Sequence, residues 1–554
     1  MQRSIFHRLS SILWVLIVTG VVLLAIYVSV GRTLVSNVGA YKGAILQELN
    51  SRVPFTVDAQ GVSGEWHSFT PVIVLSGLRL SVDGSNESPL VLSEGRIGID
   101  VLNSLRTRSL QMTRLALDEL SLRGRLTEQG RFSIEGFDGG GEIGEWLREF
   151  LISVEFVALR RNTLKLTLPG GEIRDLDLSL RLERDGSYRR LEISLNSSKG
   201  ARIDMLGEGV GSPFEPEVFD GDLYVDITTG DLGAMQDMLA SRLPGIWADG
   251  ALDLELWLSW DNGEPGLLAR VEATDLVVKG KDDAWQVPLD RVSLEAEFIR
   301  GGDRWTVFAT DTQLEHDGVV VQLPQVQLDA WGRALRVRAA NLPLEPVSQL
   351  VTGVEALPAK LVNVFSELQP RGTLNALQLS FGDMGKPASD WEVEGRFNDL
   401  VVNSWHGAPG VTSGRGYFQI LPNGGTVMLD SQNLAMDFPG LYSEPLFYHE
   451  LFGTLYLDWD SELLRLSSDL MTARGDEGTA TVLFGLDIPL VPSDIGLEME
   501  LLVGLKNSHP IHRAKYVPNV LSQTLRDWLS ASIGEGVIEQ GAFLWRGALR
   551  RGSG

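Results

Sequence analysis

Two periodicities divide the chain. From Leu9 to Gly31 the residues are uncharged and mostly apolar, with no alternation. From about residue 56 onward apolar and polar residues alternate in short runs. Leu164-Lys165-Leu166-Thr167-Leu168 and Leu176-Asp177-Leu178-Ser179-Leu180-Arg181-Leu182-Glu183 show the second pattern. So do Leu252-Asp253-Leu254-Glu255-Leu256-Trp257-Leu258-Ser259, Val292-Ser293-Leu294-Glu295-Ala296-Glu297-Phe298 and Leu497-Glu498-Met499-Glu500-Leu501. Successive strand side chains point to opposite faces, so these runs predict strands with one apolar and one wetted face. Asp185-Gly186, Asp261-Asn262-Gly263, Asp317-Gly318 and Asn423-Gly424-Gly425 mark the turns between strands.

The first pattern predicts a membrane helix. Its length at ~1.5 Å per residue is ~35 Å, enough for a hydrocarbon core of ~30 Å. A signal peptide has a shorter apolar core and a small-residue cleavage site, and no A-x-A follows here. Leu13, Trp14, Leu16, Val22, Leu24 and Tyr27 are the anchor residues, with Trp14 and Tyr27 near opposite ends, where interfacial aromatics sit. Arg3 and Arg8 on one side are balanced by Arg32 and Lys42 on the other, so flanking charge leaves the orientation open.

Helices are few in the body. Leu34, Val35, Val38, Tyr41, Ile45 and Leu49 fall at helical spacing up to Pro54. Further helices are expected at Asp231–Leu243, at Pro346–Leu368 and at Asn519–Ser532, the last with Asn519 as N-cap and Gly534 past its end. The strands lie too close together for βαβ units. Two arrangements then cover the apolar strand faces. A second sheet makes a sandwich; a single curved sheet leaves an apolar trough, which needs an apolar occupant.

Composition narrows the function. The net charge of −25 disfavours nucleic acid and anionic headgroup patches. There is no cysteine, so disulfides, thiolate metal sites and a cysteine nucleophile are excluded. His509-Pro510-Ile511-His512 has H-x-x-H spacing, but Pro510 opposes the helix that would align both rings, so it is expected to be a loop and no metal site is assigned. Gly207-Glu208-Gly209-Val210-Gly211 lacks the lysine of a P-loop and is expected to be a turn. Asp and Glu sit at the polar alternates of strands; no catalytic residue and no cofactor is assigned. Among the fourteen tryptophans, Trp257, Trp260, Trp305, Trp391 and Trp459 are candidates for lipid contact or for packing.

The order of these features resembles the YhdP family of AsmA-like, membrane-anchored proteins. The resemblance is carried by Val53-Pro54-Phe55-Thr56-Val57, by Gly64-Glu65-Trp66-His67-Ser68-Phe69-Thr70-Pro71 and by Gly98-Ile99-Asp100-Val101-Leu102-Asn103-Ser104-Leu105. Further on, Gln369-Pro370-Arg371-Gly372-Thr373-Leu374-Asn375 and Tyr516-Val517-Pro518 with Leu525, Trp528, Leu529, Ile533 and Gly536 continue it. It implies a mainly β fold: an N-terminal transmembrane helix, then an elongated, curved antiparallel β-sheet (an AsmA-like β-groove) with a few short capping helices. The implied organisation is a cytoplasmic tail (1–8), the anchor (9–31), a membrane-proximal helix with an N-terminal β-module (32–137) and an extended periplasmic groove (138–554).

The family members extend further, so the resemblance also suggests an N-terminal portion of a longer protein. It implies an inner-membrane conduit carrying phospholipid across the periplasm towards the outer membrane, without covalent chemistry. Phospholipid and the inner membrane are then the partners, with room for outer-membrane or periplasmic proteins and none for nucleic acid. Leu176, Leu178, Leu180, Leu252, Leu254, Leu256, Leu258, Val292 and Leu294 are the expected groove residues. An envelope scaffold that carries no lipid is the alternative.

Overall fold

In the computed structural model, residues 2–548 are described, apart from 68–69, 82–88, 108–110, 128–131, 135–141, 169–170, 199, 216, 234–245, 262, 281–285, 355–358, 387–388, 406–407, 492–495 and 533. The helix expected at Asp231–Leu243 falls mostly outside them. The chain divides into two units, Met1–Leu267 and Leu268–Gly554.

The first unit opens with α1 (Gln2–Ser36), whose Ile12–Thr33 segment is long and apolar enough to cross a membrane. A short 3₁₀ turn over Val38–Tyr41 and α2 (Lys42–Asn50) follow. The run read as one helix from Leu34 to Leu49 is therefore three pieces. Next come β1 (Thr56–Asp58), β2 (Gly61–His67), β3 (Thr70–Ser81), β4 (Leu90–Ile99), α3 (Val101–Thr107), β5 (Met112–Asp118), β6 (Ser121–Leu126) and β7 (Phe132–Ile134). After α4 (Glu142–Ser153), five long strands meander: β8 (Phe156–Thr167), β9 (Ile173–Asp185), β10 (Tyr188–Ser197), β11 (Arg202–Val210) and β12 (Asp220–Thr229), joined by β13 (Ile246–Asp261).

Among the described pairings of this unit, all are antiparallel except where β5 and β6 run parallel to β8, so the sheet is mixed. That exception is locked locally. Glu119 and Arg161 both take positive φ, and buried Asn162 accepts the Leu120 N–H through Oδ1 at 2.8 Å. The core sits under this head. Leu75 and Leu92 are each 1% exposed, and Leu49 of α2 packs among them with Leu122 and Leu164. A second cluster sets Phe150 and Val154 from the α4 end against Val157, Leu180 and Leu182.

The second unit takes most of β14 (Glu264–Gly280), then β15 (Gln286–Gly301), β16 (Arg304–His316), β17 (Val319–Trp331) and β18 (Ala334–Pro343). Two helices follow, α5 (Leu344–Gly353) and α6 (Ala359–Leu368). The helix expected over Pro346–Leu368 is thus interrupted after Gly353. Then come β19 (Arg371–Phe381), β20 (Trp391–Val402), β21 (Gly410–Leu421), β22 (Gly424–Asp437), β23 (Leu446–Trp459), β24 (Leu463–Ser468), β25 (Met471–Gly475), β26 (Gly478–Pro489) and β27 (Glu498–Ser508). A 3₁₀ helix (Pro510–Tyr516), α7 (Gln523–Ser532) and β28 (Ile538–Ala548) complete the unit.

His509-Pro510-Ile511-His512 thus enters a 3₁₀ helix instead of a loop, because proline at N1 costs no hydrogen bond there. Asn519 does not cap α7. Its N–H donates to Leu441 O at 2.8 Å, and Ser522 Oγ takes the Leu525 N–H at 3.3 Å instead. From β15 to β28 every pairing is antiparallel, so successive connections alternate between two rims. The helices of the β18–β19 and β27–β28 connections consequently share one rim. The opposite rim has tight turns such as Gly302-Asp303, Gly332-Arg333 and Pro422-Asn423 and, among the described residues, no helix.

Candidate lipid-facing surface

Register converts the period-two pattern into continuous surfaces. In the first unit Leu182, Leu191, Gly207, Leu223 and Leu258 are successive cross-strand partners from β9 to β13. Two residues along, Leu180, Ile193, Met205, Val225 and Leu256 form the next row. Leu178, Leu195, Ile203, Ile227 and Leu254 form the third, and Thr229 faces Leu252 in the fourth. The intervening rows, on the other face, are polar for most of their length. Ser179, Ser194, Asp204, Asp226 and Glu255 make one, and Asp177, Asn196, Arg202, Thr228 and Asp253 another.

Seven of the expected groove residues therefore share one face: Leu176, Leu178 and Leu180 of β9, and Leu252, Leu254, Leu256 and Leu258 of β13. All seven are half-buried. A sandwich interior packs to near-crystalline density and leaves its residues almost inaccessible. Leu176, Leu178, Leu180 and Leu182 do touch buried clusters at the β8–β9 side, but among the described residues no cluster takes in the apolar residues of β11–β13, where Val225 alone of the three rows is buried, at 6% exposure. Gly207-Glu208-Gly209 lies within β11 rather than in a turn. A Cβ at Gly209 would come within 2.6 Å of the Phe219 ring, and one at Gly207 within 3.3 Å of Leu223, so glycine lets both neighbours close over the strand.

The second unit repeats the design at greater length. Phe298, Val307, Leu328, Val337, Leu379, Val393, Ile420, Gly425, Leu457, Leu466, Leu486, Met499 and Gly547 pair in unbroken sequence from β15 to β28, passing β25 by. Twelve steps at ~4.8 Å make a path of ~58 Å along the sheet. Every position in this row is half-buried. Val292 pairs with Leu314 and is buried, at 8% exposure. Leu294 lies at a bulge, where the β15–β16 register slips between Ser293 and Glu295. Across the bulge stands Asp311, with φ 49°, a conformation aspartate tolerates better than most residues.

The opposite face of this unit is held by charge and hydrogen bonds. Asp329 is fully covered by its own partners: Arg304 at 2.7 Å, Thr306 at 2.8 Å, Gln327 at 3.1 Å and Arg338 at 3.4 Å. Burial pushes its carboxyl up, but the bonds from Arg304, Thr306 and Gln327 outweigh it and hold it below the ordinary value. Arg338 donates to Gln378, Gln378 to Glu394, and Tyr417 donates to Glu394 at 2.6 Å. The ladder crosses five strands, β17 to β21, with no apolar side chain in it. Of the singled-out tryptophans, Trp305, Trp391 and Trp459 stand in the parity of the apolar row, and Trp260 in that of Leu258. Trp257 is on the polar face, tilted against Tyr224.

At the membrane end, Leu13, Trp14, Leu16, Val22 and Leu24 are exposed along α1, as a lipid-facing helix requires. Tyr27 is half-buried, with its ring 5.7 Å from that of Trp66 of β2. Gly31 completes the seam, since a Cβ there would overlap the Trp66 ring. A bare glycine near the end of the span and a tryptophan in the first hairpin were both visible in the sequence, but nothing in their spacing linked them.

A family model described as "YhdP protein" matches residues 1–552. The intermembrane phospholipid transporter YhdP of Escherichia coli (strain K12) is 22% identical over 584 residues, covering 96% of this chain and 43% of that protein. The chain thus spans less than half the length of that relative. No solved structure matches.

Proposed function

Because the chain belongs to the YhdP family, we propose that it carries phospholipid from the inner membrane, where α1 holds it, across the periplasm towards the outer membrane. The relative's printed role as an intermembrane phospholipid transporter supports this reading. So does one observation above the rest: apolar rows in unbroken register whose side chains are for the most part half-buried, with buried clusters at the β8–β9 side of the first unit and around Leu434, Leu451, Met471 and Ala473 in the second. A diacyl lipid in water exposes about thirty methylenes, which at ~0.8 kcal/mol each is a barrier of ~20 kcal/mol or more. An apolar strand face offers those chains a surface in place of water and lowers that barrier without making or breaking a bond. The polar outer face with its Asp329 ladder keeps the other side of the sheet in solvent. Residues 1–8 would then lie in the cytoplasm and the β units in the periplasm.

Substituting Leu254→Arg and Val393→Arg, one in each unit, tests this. Phospholipid bound per purified chain, measured by mass spectrometry of solvent extracts, falls in both variants relative to the unaltered chain. Their thermal unfolding stays unchanged, because arginine on a half-exposed face keeps its charge in water. Unfolding of both variants, with lipid content unaltered in any folded fraction, identifies the positions as sandwich-like core and removes the reading.

A further inference from the structure

Strand β2 runs antiparallel along the end of α1, and the contact between them is a ladder of close steps. A Cβ at Gly39, in the 3₁₀ turn after α1, would lie 2.9 Å from Val62 O. One step on, a Cβ at Gly64 would overlap the backbone of Val35, which is buried. One step further, the Trp66 ring lies over Gly31, with the Tyr27 ring 5.7 Å away. Two strand residues rise ~6.6 Å and four helical residues ~6 Å, so the two elements keep pace. Lys42 Nζ fixes the foot of the ladder by donating to Gln60 O at 3.0 Å. Each step forward along β2 is a step back along α1, into the candidate span Ile12–Thr33. Gly31 lies inside that span, and Tyr27 is six residues, ~9 Å, back from Thr33. β2 and β3 stay paired beyond Trp66, with His67 opposite Thr70, so the end of the hairpin is carried along.

We propose that the β2–β3 hairpin is a second membrane contact, its end immersed in the headgroup region of the bilayer that α1 crosses, at a depth set by the Gly31–Trp66 seam. The span's 22 residues make ~33 Å of helix, little more than a hydrocarbon core of ~30 Å, so Thr33 stands near the core boundary. A ring held beside Gly31 and Tyr27 is then level with the headgroups or just below them. Tryptophan and tyrosine suit that level, each with an apolar body and a polar tip, so Tyr27 and Trp66 make one aromatic belt drawn from two elements. The hairpin goes no deeper, because open strand edges do not occur in the hydrocarbon. The consequence is orientation. A single helix lets the strands that follow swing about it, whereas a helix and a hairpin together hold the start of the sheet against the membrane surface. This rests on α1 spanning the membrane and not on what the sheet carries.

The chain has no cysteine, so single introduced cysteines can be labelled with bimane. The full chain carrying Thr70→Cys, Ser63→Cys or Leu24→Cys is placed in vesicles of phosphatidylethanolamine and phosphatidylglycerol, with or without a lipid bearing a nitroxide near the headgroup end of its acyl chain. Leu24 reports the bilayer, and Ser63, exposed on β2, reports the solvent side. Bimane at Thr70 is quenched by the nitroxide lipid about threefold more than bimane at Ser63, since ~13 Å of strand separates their levels. Gly31→Leu, which drives the Trp66 ring off α1, lowers quenching at Thr70 to the Ser63 value and leaves Leu24 unchanged. Trp66→Ala, which removes the ring without a clash, does the same. Equal quenching at Thr70 and Ser63 with the seam intact, while Leu24 is strongly quenched, overturns the proposal. Strong quenching at Thr70 that ignores both seam variants overturns the seam as the feature that sets the depth.

Discussion

Leu92 and Leu254 are both leucines in strands of the first unit, yet they do different work. Leu92 is 1% exposed inside the head, so Leu92→Ala opens a cavity and costs ~2–5 kcal/mol. Leu254 is half-buried and leaves no closed cavity when truncated, so Leu254→Ala costs under ~1.5 kcal/mol. Urea titration of the detergent-solubilised chain separates them, and equal losses at the two positions would assign Leu254 to a packed core. The sequence could not make this distinction, because alternation reports which face a residue is on and not what lies over that face. Nor could it show Asp329, which reads as one more polar alternate yet is sealed by two arginines, a threonine and a glutamine from its own and adjacent strands.

At the scale of elements, the strands were legible because period-two alternation is a local signal, and β8, β9, β13, β15 and β27 fall where it lies. Register and breaks were less so. The Asp311 bulge flips parity through a backbone conformation that no spacing announces, and glycine fills row positions at Gly207 and Gly425 that a search for apolar residues passes over. The connection after β27 shows how tertiary contacts reset a helix start. Its 3₁₀ segment is pinned by Lys515, whose Nζ donates to Glu477 Oε1 at 2.5 Å, beside the half-buried Tyr448. Burial raises the Tyr448 hydroxyl to about 12.

At Glu477 burial also pushes upward, but the bond from Lys515 prevails, and the carboxyl is held below its ordinary 4.5. A depressed folded-state value stabilises the clasp fully above pH ~4.5 and loses that contribution as pH falls through the lowered value. Backbone amides of residues 509–519 therefore lose protection as the pH falls through the lowered Glu477 value, below the ordinary carboxylate range, after correction for intrinsic exchange rates. Glu477→Gln abolishes this pH dependence and weakens protection at neutral pH. Identical profiles in the two proteins would show that the clasp does not hold the segment.

For the whole molecule the question is what meets the apolar rows. Each unit presents continuous apolar rows backed by largely polar ones, and among the described residues of the second unit the helices lie at one rim and tight turns at the other. This is the arrangement expected of a surface that lipid enters from the side. The most direct measurement places a photocrosslinker in turn at Leu254 and Val337 on the apolar faces, and at Asp253 and Arg338 on the polar ones, in cells with labelled phospholipid. The account predicts covalent phospholipid at Leu254 and Val337 and none at Asp253 and Arg338. Absence of lipid at Leu254 and Val337, or equal capture at all four positions, would contradict it.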